Sequence, residues 1–126
     1  MKYKISASLA LGIMLAAGAA WAHHSSRVYF DATKRVKLTG TLTKVDWRNP
    51  HIRFSLEVKG DQGQVESWVI AGGPPNLMAN HNISKADFQK AIGQTVTVEA
   101  DPARDGSPSA EYWKITFPDG RVVAAV

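Results

Sequence analysis

The chain has 126 residues, with 15 Lys+Arg against 11 Asp+Glu and a formal net charge of +4. That length holds one domain, and a 44% apolar share beside 21% charged residues excludes a disordered chain. Cysteine is absent, which excludes disulfides, thiolate zinc sites, iron–sulfur clusters and cysteine nucleophiles.

Lys2 and Lys4 precede an uncharged run, LALGIMLAAGAAWA at residues 9–22, which ends in the small-x-small site Ala20-Trp21-Ala22. A basic start, a short apolar middle and such a site predict a secretory signal peptide over residues 1–22, cleaved after Ala22. As a helix the run spans about 21 Å, short of the ~30 Å hydrocarbon core, so an uncleaved anchor would need to extend back to Ile5. Residues 23–126 then form a single exported domain with no stable membrane anchor after cleavage. Removing the two signal lysines brings that domain close to neutrality. It carries no dense Lys/Arg cluster, so neither nucleic acid nor a membrane surface is an expected partner.

Residues 23–34 read as a leader with Tyr29 and Phe30 as anchors. Val36, Leu38, Gly40 and Leu42 alternate with Lys37, Thr39, Thr41 and Thr43, the pattern of a half-buried strand. The apolar phase then slips to Val45 and Trp47, which predicts a bulge or sharp coil near Gly40. Asn49-Pro50 marks a turn. Residues 52–58 alternate as a second strand, residues 59–63 supply a hairpin loop with two glycines, and residues 65–71 form a third strand with apolar groups on both faces. Gly72-Gly73-Pro74-Pro75 ends it, because proline cannot donate to a ladder. One helical turn is expected over residues 76–80. Ser84 and Asp87 then open a short helix whose apolar face is Phe88, Ala91 and Ile92, and Gly93 closes it. Residues 95–100 alternate as a fourth strand, followed by a turn at Asp101-Pro102 and Arg104-Asp105-Gly106. In the fifth, Trp113, Ile115 and Phe117 alternate with Tyr112, Lys114 and Thr116, and residues 121–125 form a short last strand. A β-β-β-α-β-β order with a long, slipped first strand predicts an all-β fold with one short helix. The expected architecture is a small OB-fold-like Greek-key barrel of five or six strands, with a small β-sandwich as the alternative.

Four histidines stand at 23, 24, 51 and 81. Cleavage after Ala22 would give His23 a free α-amine, whose reference pKa of about 7.7–8 leaves a neutral form accessible near neutral pH. Amine and imidazole of one residue can chelate one metal ion, and a second imidazole completes a histidine brace, a nitrogen-rich site that suits copper(II). His51 is the candidate second imidazole, because Pro50 fixes its own φ and holds Asn49 extended at the corner before it. His24 is a further candidate ligand, while His81 sits in a less constrained loop. No acid pair, nucleophile elbow or phosphate loop is legible, so no catalytic residue is assigned. The alternative is a metal-free module in which Trp47, Arg48 and Trp68 present a face to a partner protein or small ligand.

The HHS start at His23-His24-Ser25, Phe30-Asp31, Gly40-Thr41, the Trp47-x-Asn49-Pro50-His51 corner, Trp68, Asp105-Gly106 and Pro118-Asp119-Gly120 together resemble a family of small bacterial secreted proteins known as a domain of unknown function. The resemblance covers essentially all of residues 23–126 and implies a periplasmic location. The chain departs from that pattern at Ala71-Gly72, where the family often carries an acid, and at residues 79–82. The expected protein is therefore a periplasmic barrel that binds copper(II) through His23 and His51, with carriage or buffering as its role.

Overall fold

The computed structural model describes residues 25–125, so the signal peptide expected at residues 1–22, His23 and His24 lie outside the described residues. The chain forms α1 (Ser25–Tyr29), β1 (Val36–Asp46), β2 (Arg53–Lys59), β3 (Val65–Ala71), α2 (Pro75–Asn80), α3 (Lys85–Ala91), β4 (Thr95–Pro102), β5 (Ser109–Thr116) and β6 (Val122–Ala124). The strands lie in the order β3-β2-β1-β4-β5-β6, and a parallel pairing of β3 with β5 closes the first five into a barrel. This is the OB-like Greek-key arrangement, with β6 added along β5. One continuous closed sheet replaces the two facing sheets of a sandwich.

Closure requires β1 to serve both sides of the barrel. Its first half pairs with β4 and its second half with β2, and Gly40 pairs with Val96 on one side and Val58 on the other. The strands approach so closely there that a Cβ on Gly40 would stand 2.5 Å from the Glu57 carbonyl oxygen. Glycine is required for contact rather than for backbone freedom. The register of β1 against β2 shifts between Leu42 and Lys44, which is the phase slip seen in the sequence.

Leu42, Phe54, Leu56, Ile70, Val98 and Ile115 fill the barrel and are fully buried. Each contributes on the order of 1.5–3 kcal/mol by leaving water. Phe88 of α3 plugs one end, with its ring 5.6 Å from Trp47, 5.6 Å from Phe54 and 5.0 Å from Phe117. A capping box fixes the start of α3: Asp87 N–H donates to Ser84 Oγ at 3.3 Å, and Ser84 N–H donates to the Asp87 carboxylate at 2.8 Å. Arg121 then ties the helix to the β5–β6 turn, donating to Asp87 at 2.7 Å and to Asp119 at 2.7 Å.

Four expectations are corrected. The leader contains a helix, α1, that its sequence did not indicate, while the helical turn expected at residues 76–80 is present as α2. Asp101 and Pro102 do not turn: they end β4, where Pro102 pairs with Ala110 and its carbonyl accepts from Asp31 N–H at 2.9 Å. The chain reverses later, at residues 103–106. Trp113 does not face the core with Ile115. The β4–β5 register shifts beside it, pairing Ala100 with Tyr112 and Glu99 with Lys114, so Tyr112 turns inward and Trp113 is 40% exposed. Two adjacent aromatics hide such a bulge from a periodicity argument. Arg35 covers the outward indole, its guanidinium carbon 4.2 Å from the ring centroid. Ile92 also lies outside the core, 44% exposed.

Gly40→Ala is expected to cost about 1–3 kcal/mol, because the obstructing atom is backbone and cannot swing aside; urea unfolding at neutral pH measures it. Acid sensitivity follows from Asp87. Bonds from Arg121 and then from Ser84 hold its carboxyl far below the usual carboxylate range. A depressed native pKa stabilises above the unfolded value near ~4 and loses that contribution as pH falls through it. Asp87→Asn should therefore lower the melting temperature at neutral pH and flatten its fall below about pH 4, where the unfolded chain takes up a proton that the folded Asp87 still resists.

Candidate functional site

Three strands place one row of residues on the outside of the barrel. Arg53 of β2 pairs with Ala71 of β3, and Ala71 pairs with Glu111 of β5. Their chain neighbours Phe54, Ile70, Ala110 and Tyr112 are buried, so all three members of the row face outward. With strands ~4.8 Å apart, Arg53 and Glu111 stand about 10 Å apart across a single methyl group. A small residue between two long ones makes a trough.

His51 closes one end of it. Ile52 is fully buried and is bonded on both sides to the third strand's exit: its N–H donates to the Gly73 carbonyl at 3.0 Å and its carbonyl accepts from Gly72 N–H at 2.7 Å. The peptide bond between Asn49 and Pro50 is cis. Between this turn and the anchored Ile52, His51 is carried on a fixed corner with an exposed side chain. A Cβ on Gly72 would come 3.0 Å from the Ile52 carbonyl oxygen, so the glycine at 72 is what allows the two segments to meet.

The other wall is α1 and the residues that follow it. Phe30 bridges to Ala103, the Tyr29 carbonyl accepts from Arg104 N–H at 2.9 Å, and the Arg27 carbonyl accepts from Arg104 Nε at 3.1 Å. Asp31, the buried charged side chain among the described residues, accepts from Thr33 Oγ1 at 2.6 Å and from Thr33 N–H at 3.1 Å, with Arg104 Nη1 3.6 Å away. The Thr33 bonds, with help from Arg104 and Lys34, hold its carboxyl below the usual range. The N-terminal segment is thus fastened to the β4–β5 corner.

Two adjoining clefts result, with volumes of about 560 and 510 Å³, and they share Ser26, Phe30, His51, Gly72 and Glu111. Both volumes fall in the range of small-ligand sites. Burial pushes the Glu111 carboxyl above its ordinary range and Asp101 adds to the rise, while His51 and the Ser26 side chain pull it back. Asp101 itself is held by Arg35, which donates to its two oxygens at 2.8 and 3.3 Å. Tyr112 lines the second cleft, and its hydroxyl is buried without a hydrogen-bond partner among the described residues.

The residues expected from sequence are distributed unevenly around this site. His51 lines both clefts. His23 and His24 lie outside the described residues, immediately before α1. Trp47 rests on Phe88 and lines a separate cleft over α2 and α3, which Arg48 and Trp68 do not line. Arg48 is engaged by Asp46, with Nε donating at 2.7 Å, and the Trp68 indole N–H donates to Glu66 at 3.0 Å. His81 caps the end of α2, away from the His51 clefts. Among the described residues, no three His, Asp or Glu side chains converge to hold a metal ion. Arg53, Glu111 and the Asp31–Arg104 fastening escape sequence reasoning, because their meeting depends on the parallel β3–β5 pairing and on the turn after β4.

A closed five-stranded barrel with a trough on its outer face and an N-terminal strap beside it defines the class of protein. The chain belongs to the family of unknown function DUF6152, whose pattern it matches over residues 11–111. No curated protein and no solved structure matches it.

The buried Tyr112 hydroxyl yields a direct measurement. If it has no partner, Tyr112→Phe removes an unsatisfied polar group and the melting temperature of the protein holds or rises, by the equivalent of about 1 kcal/mol. A fall of that size would reveal a partner supplied from outside residues 25–125.

Proposed function

We propose that the protein is exported to the periplasm, is cleaved after Ala22, and binds one copper(II) ion through the amine and imidazole of His23 and the imidazole of His51. Carriage or buffering of the metal is the role that fits. One observation carries this reading: Ser26 stands on the same clefts as His51 and Glu111. His23 precedes Ser26 by three residues, and three extended residues reach about 10 Å, so the new terminus starts from the edge of the clefts that His51 lines. The fastening of Asp31 and Arg104 favours this, because it holds the chain that leads to the terminus against the barrel. Nitrogen donors of this kind suit copper(II) over harder cations, and His24 supplies a further imidazole within the same reach.

The test uses exported protein whose first residue is verified by intact mass. It is expected to bind one copper with a nitrogen-dominated EPR spectrum. His51→Ala, and separately one extra residue before His23, should each weaken binding at least about 10–100-fold, the scale that losses outside the ligand shell already reach. Affinity should also fall on acidification, as protons compete for amine and imidazole. An extended form that binds as tightly as the native one removes the amine from the site, and a chain that does not begin at His23 removes the proposal.

A further inference from the structure

We infer that Glu111 is a further ligand of the ion proposed above, so that the site is built from nitrogen donors and one carboxylate oxygen. The inference rests on the copper reading and adds a residue that sequence reasoning passes over. Glu111 lines both clefts together with His51, the described histidine of the proposed site, and Ser26, three residues after His23. It is also the acid left over when the local charges are matched. Arg35 is committed to Asp101 through two bonds. Arg104 is committed to Asp31 and to the Arg27 carbonyl. Lys114, from the same strand, is paired with Glu99. Arg53 stands across Ala71 in the same row, and no ion pair joins it to Glu111 among the described residues. A half-buried carboxylate that meets His51 and the Ser26 side chain, with no Lys or Arg paired to it among the described residues, is placed to meet a metal cation.

The consequence is selectivity between oxidation states. An amine and two imidazoles are neutral and leave the full charge of the ion uncompensated in a partly enclosed trough. One carboxylate removes a unit of that charge. Carboxylate oxygen is a hard donor, which favours copper(II) over the softer copper(I). Glu111 therefore makes the site a holder of the oxidised ion.

Glu111→Gln keeps the shape of the side chain and removes the anionic ligand. Competition titrations on the exported protein are expected to show copper(II) affinity falling about tenfold or more, with copper(I) affinity changed by less than about threefold. The parallel hyperfine splitting in the copper(II) EPR spectrum should change with the donor set. The melting temperature of the metal-free protein should hold or rise, which separates a ligand from a structural residue. If Glu111→Gln matches the native protein in copper(II) affinity and spectrum while His51→Ala does not, the carboxylate is no ligand and only this inference falls. If the native protein and His51→Ala bind copper equally, the two-histidine reading fails and takes this one with it. A parallel loss of copper(I) and copper(II) affinity would also overturn it, because the effect would then be on the trough rather than on the donor.

Discussion

Three residue pairs carry more of this structure than their number indicates. Val69 with Ser109, Ile70 with Ala110 and Ala71 with Glu111 form the parallel contact between β3 and β5. Without it the molecule would be an open antiparallel sheet with two free edges, each exposing unpaired N–H and carbonyl groups. With it, Ile70 and Ala110 turn into a common core and the barrel closes. The same pairing sets Glu111 beside Ala71 on the outside, and through Ala71 opposite Arg53. The trough is a by-product of closure: three in-register residues of which the middle one is small.

Closure also dictates the shape of β1. A strand of eleven residues that pairs with β4 at one end and β2 at the other must coil sharply. Gly40 permits the close approach at the crossing, and the register shift before Lys44 absorbs the remaining mismatch. These are local features with a global cause. The bulge beside Trp113 is comparable, because it lets β5 change partners' phase while both its halves keep apolar groups inside. Its cost is an outward indole, which Arg35 covers.

The segment that joins α1 to β1 belongs to the site as much as to the fold. Asp31 and Arg104 bind it to the corner after β4 through side-chain and backbone contacts. A charged residue is seldom buried unless it is satisfied, and Asp31 is satisfied twice by Thr33 before any arginine is counted. The effect is to hold the start of the described chain, at Ser26, on the same clefts as His51.

Much of this was readable without a structure because it depends on neighbours in the chain. Strand alternation, the phase slip after Leu42, the capping pair of Ser84 and Asp87, and the fixed corner before His51 all arise from sterics and hydrogen bonds within a few residues. The barrel itself followed from the order of those elements. Glu111 was not readable, since nothing near it in sequence distinguishes it from Glu99 or Glu57; its environment is made by Ala71, His51 and Ser26, forty or more residues away. Trp47, Arg48 and Trp68 illustrate the reverse: close in character, they are sent to separate surroundings by the packing of Phe88, the pairing of Asp46 and the bond to Glu66. Periodicity specifies which way a side chain points from its own strand. Only the pairing of distant strands decides what it points at.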